Sequence, residues 1–130
     1  MTAEARRWVA PLLSATIALV MITGGLAHLV EPAGFARLVP APLPATPIIL
    51  GTGLIQLAIG LLALWPRTRA RAGLAFAVLC LGYLPLHLWD FARPDPFFAP
   101  PVAATARVLI QLVFIAAGWR LSRTAGSAST

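Results

Sequence analysis

The sequence predicts an all-α integral membrane protein, a four-helix bundle with short loops and both termini on the cytoplasmic side. Three observations carry this expectation. Of 130 residues, 59% are hydrophobic and 11% charged, where ordinary soluble domains have about 45–50% apolar and about 25% charged residues. Four stretches are each long and apolar enough for a bilayer span, which takes about 20 residues. All ten basic residues are arginine, and most lie at the ends of those stretches. A soluble chain of this size has too much surface for its volume to hide so much apolar side chain. The same excess excludes a disordered chain.

The first span covers residues 8–29 and follows Arg6 and Arg7. Its apolar stretch exceeds the roughly 7–15 residues of a signal-peptide core. Three further spans follow, so it reads as a retained helix. Pro32, Pro40, Pro42, Pro44 and Pro47 then interrupt the chain, because proline removes the amide donor that a helix needs. The second span covers residues 46–65. Arg67 and Arg69 separate it from the third, residues 70–89, which has Arg71 at its start. A second proline-rich loop holds Pro94, Pro96, Pro100 and Pro101. The fourth span covers residues 101–120 and alone carries a charge away from its ends, Arg107. Long apolar runs without alternation indicate helices rather than strands, and helices satisfy every backbone polar group in lipid. Residues 1–123 thus form one domain, and residues 124–130 read as a disordered tail. Phe35, Phe91, Phe97 and Phe98 lie among the prolines and are expected at the outer lipid interface. The two loops then either cap the bundle or simply connect spans.

Orientation follows from arginine. Arg6, Arg7, Arg67, Arg69, Arg71, Arg120 and Arg123 fall on one side, with Arg37 and Arg93 on the other. Cytoplasmic loops carry the excess of arginine, so both termini are expected in the cytoplasm of a multi-pass plasma (inner) membrane protein. Trp8, Trp65, Trp89 and Trp119 each fall at a span end, where aromatic belts form. The net charge of +6 is therefore a topology signal, and no nucleic-acid partner is expected.

The chemistry open to the chain is narrow. One cysteine, Cys80, makes neither an intramolecular disulfide nor a C-x-x-C pair, and it reads as an apolar filler. No phosphate loop, nucleophile elbow or zinc spacing occurs, so no metal site is expected, and the chain reads more as an accessory than as an enzyme by itself. The informative residues are polar groups inside the spans. At about 1.5 Å per residue, His28 and His87 lie near the outer surface beside Glu31 and Asp90. Tyr83 and Arg107 lie about 9 Å deep, and Gln56 and Gln111 about 15 Å deep. The inner half is almost purely apolar.

These residues also share helix faces. Cys80, Tyr83, His87 and Asp90 form one stripe, Arg107 and Gln111 another, and Gly24, His28 and Glu31 a third. Gly53, Gln56 and Gly60 share a face on the second span, where glycine permits close helix approach. The stripes are expected to meet around an outward-opening polar pocket lined by Arg107, Gln111, Gln56, Tyr83, His87 and His28. A buried arginine costs roughly 2.5–3.5 kcal/mol on insertion scales, so Arg107 calls for a partner, with Glu31 or Asp90 as candidates. Simpler readings stand beside these. Arg107 reaches the headgroups by snorkelling, the glutamines make interhelical bonds, and the histidines cap helices. Two histidines at one depth also suit bis-imidazole haem. Pro85 frees a carbonyl near Leu81, and a kink there would widen the pocket.

In order and spacing these residues resemble the DoxX family of small four-span membrane proteins. Gly24-Gly25-Leu26-Ala27-His28 is similar to the end of that family's first helix. Pro32, Phe35, Leu38-Val39-Pro40 and Leu43-Pro44 are similar to its outer loop. Gly53-Leu54-Ile55-Gln56-Leu57 and Gly60 resemble its second helix, with Gln56 where Glu is common. Leu84-Pro85-Leu86-His87 resembles Phe-Pro-x-Asn of its third helix, with His87 in place of Asn. Arg107-Val108-Leu109-Ile110-Gln111 resembles Arg-Leu-Pro-Leu-Gln of its fourth. The resemblance covers residues 8–120 and implies a redox-associated or accessory membrane role, beside a partner oxidoreductase or another membrane protein. Gln56 does not titrate, which argues against proton coupling at that position. The expected function is an accessory subunit whose pocket binds a lipophilic ligand such as quinone. The alternatives are an assembly or interaction factor without a ligand, a haem-binding electron-transfer protein and a small transporter. Self-association remains open.

Overall fold

The computed structural model describes residues 3–126, with side chains described for residues 7–125. Helix α1 spans Ala3–Val30 and α2 spans Ala45–Leu64, with a 3-10 segment at Pro32–Leu38 between them. Helix α3 spans Arg69–Trp89 and α4 spans Val102–Gly126. All four α-helices are long and apolar enough to cross a membrane, with mean hydropathies of 1.7 to 2.1 in their most apolar windows. Helix α3 runs unbroken through Pro85. Among the described residues there is no strand.

The helices pair as two hairpins, α1 with α2 and α3 with α4, and contact between the hairpins is sparser. Glycine sets both pairings. A Cβ on Gly73 would lie 2.7 Å from the Gly118 carbonyl oxygen, and one on Gly118 would lie 2.7 Å from that of Gly73. Gly25 and Gly53 do the same for α1 and α2. Between the hairpins, Ile17, Met21, Ile59, Phe76, Cys80 and Leu121 form the core. Phe76 tilts against Phe114 with ring centres 5.6 Å apart. The buried Ser14 hydroxyl donates to the Ala63 carbonyl, joining α1 to α2. Large apolar residues such as Leu19, Leu54, Leu61, Val78, Leu109 and Val113 face outward. An apolar exterior with glycine at the closest helix contacts is compatible with packing in lipid.

Two expectations need correction here. Helix α4 continues through Thr124, Ala125 and Gly126, where a disordered tail was expected to begin. Leu121 is fully buried and Ala125 packs against the same core cluster, so this last turn has apolar contacts to hold it. Residues 127–130 of that tail, and the side chain of Arg6, lie outside the described residues. The loop phenylalanines do not all face outward either. Phe91 is exposed, but Phe35 stacks on His28 with ring centres 4.1 Å apart, and Phe97 meets Phe98 edge-on at 5.0 Å.

The same end of the bundle is clasped by polar contacts between its two loops. Arg37 pairs with Asp95 at 2.8 Å and lies over the Phe97 ring. Arg93 donates to the Arg37 carbonyl at 3.0 Å. Asp90 accepts hydrogen bonds from the Phe97 amide at 2.9 Å and the Phe98 amide at 3.2 Å. The proline-rich segments are thus fastened to each other as well as joining helices.

A candidate ligand cavity at the 3-10 end

The cavity sits between the two hairpins, at the end of the bundle that carries the 3-10 segment. Its volume is about 290 Å³, at the lower edge of the range for small-molecule sites. All four α-helices contribute: Met21, Gly24 and His28 from α1, Ile49 and Gln56 from α2, Tyr83 and His87 from α3, and Arg107 and Gln111 from α4. Phe35, Leu38 and Val39 of and beside the 3-10 segment close one side. The six polar residues singled out in the sequence therefore line one cavity, among mostly apolar neighbours.

Helix periodicity puts them there. Gln56 lies between Gly53 and Gly60 on the face that α2 turns to α1, and all three are buried. A Cβ on Gly24 would lie 2.7 Å from the Gln56 side-chain oxygen, so the absence of a side chain at Gly24 makes room for that amide. The Gln56 amide donates to the Tyr83 hydroxyl at 3.2 Å, linking the two hairpins. The Gln111 amide donates to the Cys80 carbonyl, linking α4 to α3. His28 Nδ1 sits 2.7 Å from the Gly24 carbonyl.

His87 and Arg107 are different. His87 is 5% exposed, and neither ring nitrogen makes a hydrogen bond of good geometry, although the Gln111 side chain is close enough to interact with the ring. Arg107 Nε is also buried without a partner, while its guanidinium carbon lies 5.3 Å from the centre of the Phe98 ring. Buried polar groups are nearly always satisfied, and an exception points to a missing water, ion or ligand.

The ion pairs expected for Arg107 are not formed. Among the described residues neither Glu31 nor Asp90 makes a salt bridge with it. Asp90 is 2% exposed, but its carboxylate holds the Phe97 and Phe98 amides and faces Arg93 at 3.6 Å. Glu31 is exposed at the start of the 3-10 segment. Phe98 is the contact that sequence reasoning missed. No spacing signals it, because the loop fold that brings it under Arg107 depends on the Asp90 bonds. Among the described residues no three His, Cys, Asp or Glu side chains gather into a metal set.

Residues 17–122 match the model of a family described as a domain of unknown function, DUF8561. No curated protein and no solved structure matches the chain.

Proposed function

The chain belongs to the DUF8561 family, and we propose that it is a multi-pass plasma (inner) membrane protein whose cavity holds the polar head of a lipophilic ligand. Both termini face the cytoplasm in this reading, so the 3-10 end lies in the outer half of the bilayer. The arginine-rich α2–α3 loop and terminal segments support that orientation. The protein acts as an accessory subunit beside a partner, without a reaction of its own. Quinone is the candidate ligand and an oxidoreductase the candidate partner, on the strength of the resemblance to DoxX-type proteins.

One observation carries the ligand reading. Six polar side chains from four helices converge on one cavity of about 290 Å³, and two of them keep buried nitrogens without partners. A site kept for interhelical bonding alone would pair those nitrogens within the protein. Arg107 and His87 supply donors for a carbonyl or hydroxyl oxygen, and the apolar wall receives the body of the ligand.

Quinone titration of the purified protein and of Arg107→Ala and Gln111→Ala tests this. Loss of a hydrogen bond to a charged donor weakens binding by about tenfold or more, so that is the drop expected for Arg107→Ala. Affinity unchanged in both variants would remove the cavity from the account of quinone binding.

A further inference from the structure

We propose that the ligand of this cavity is an amphiphile whose head group carries a negative charge, with Arg107 as its counter-ion. The inference rests on the reading of the cavity as a ligand site and departs from the quinone candidate, which is neutral, toward a charged class of ligand. Arg107 is the sole formal charge among the residues that line the cavity. A guanidinium is always charged, has five donors and accepts nothing. This one lies over Phe98 with a buried, unpartnered Nε, and no described acid pairs with it.

The acids at this end of the bundle are accounted for. Asp95 pairs with Arg37, Asp90 serves two amides and Arg93, and Glu31 is exposed. A half-buried cation with no ion pair is costly where the dielectric is low. A bound anion removes that cost. A neutral carbonyl accepts hydrogen bonds but leaves the charge uncompensated.

The remaining polar groups fit the same assignment. The amide nitrogens of Gln56 and Gln111 each give one hydrogen bond within the protein, to Tyr83 and Cys80. His87 keeps a ring nitrogen free to donate to the same head group. The apolar part of the ligand follows from Val20, Met21, Ile48, Ile49 and Phe114 on the wall. The volume of about 290 Å³ is about tenfold the roughly 30 Å³ share of one water, so a small inorganic anion would leave most of it empty.

The test uses the full chain in phosphatidylcholine nanodiscs, titrated separately with oleate, oleyl alcohol, decylubiquinone, phosphatidylglycerol and sulfate. Oleate or phosphatidylglycerol is expected to bind at least about tenfold tighter than oleyl alcohol, as a charge-assisted bond outweighs a neutral one. Whichever of those two binds better identifies a free acid or a bilayer lipid as the source of the anion. Arg107→Gln abolishes the preference for the anion, and Arg107→Lys keeps part of it. Oleyl alcohol or decylubiquinone binding as tightly as either anion overturns the proposal while leaving the cavity a ligand site. Sulfate competing with oleate at equal concentration overturns the amphiphile. Failure of every probe to bind removes both this proposal and the ligand site itself. If Arg107→Gln does not fold, the acid–alcohol comparison on the unaltered chain still decides.

Discussion

His87 sets a residue-scale conflict between stability and function. Both of its ring nitrogens are buried and unpaired, a state that costs about 1–3 kcal/mol for each group left unsatisfied. Replacing such a group by an apolar one of similar size is near neutral or stabilising. His87→Leu is therefore expected to hold or raise the thermal midpoint in detergent while weakening ligand binding. A clear fall in midpoint would show that His87 has a structural partner after all. Gln111→Leu acts in the opposite sense, because its amide is bonded to the Cys80 carbonyl. Such bonds average about 0.6 kcal/mol between membrane helices, so its midpoint falls slightly. The polar cluster itself was legible in the sequence, because spacings of four put Tyr83 near His87 and Arg107 near Gln111 on their faces. The partner of Arg107 was not. The Asp90 carboxylate is within reach in sequence terms, but the folding of a proline-rich loop decides that it binds the Phe97 and Phe98 amides.

At the scale of the elements, small residues decide which helices touch. Gly73 and Gly118 face each other so closely that either Cβ would meet the other's carbonyl oxygen at 2.7 Å. The obstacle is backbone, which cannot turn aside as a side chain does. Gly118→Ala is expected to destabilise the α3–α4 hairpin by about 1–3 kcal/mol, the usual cost of overpacking. Gly82→Ala is the control on the same pair of helices, since nothing lies within 4 Å of an added Cβ there. It should be neutral or slightly stabilising, because alanine is the better helix former. Thermal unfolding of both variants in one detergent checks the pair, and equal midpoints would mean that the hairpin tolerates separation. The sequence indicated Gly53 and Gly60 through their nearness to Gln56, and α2 turns both to α1. It did not single out Gly73 and Gly118, which have no polar neighbour to draw attention to that face. Helix limits were easier to read. Helices α2 and α3 begin and end within one residue of the expected spans, because arginine, tryptophan and proline crowd those ends. The end of α4 was misjudged, since the burial of Leu121 depends on tertiary contacts.

Across the whole molecule, the distribution of arginine makes orientation testable with the chain's own chemistry. Arg7, Arg67, Arg69, Arg71, Arg120 and Arg123 lie towards the end that carries the α2–α3 loop, while Arg37 and Arg93 belong to the clasped loops at the other. The cost of moving arginine across a membrane favours the first end in the cytoplasm. Helix length and hydropathy are blind to this choice, since all four helices would span equally well in either sense. Cys80 is the sole cysteine in the sequence, and it is buried, so a thiol placed at a loop is the group a reagent meets first. Arg67 is exposed and Arg37 is exposed, which makes both suitable positions. In intact cells, a membrane-impermeant maleimide is expected to label Arg37→Cys and to leave Arg67→Cys untouched until the membrane is permeabilised. Removing Arg37 also breaks its exposed pair with Asp95, but such pairs contribute little to stability, so the fold survives the substitution. The reverse labelling pattern would invert the topology and place the cavity in the cytoplasmic half. Its ligand would then enter from the inner leaflet, and the clasp of Arg37, Asp95 and Arg93 would face the cytoplasm.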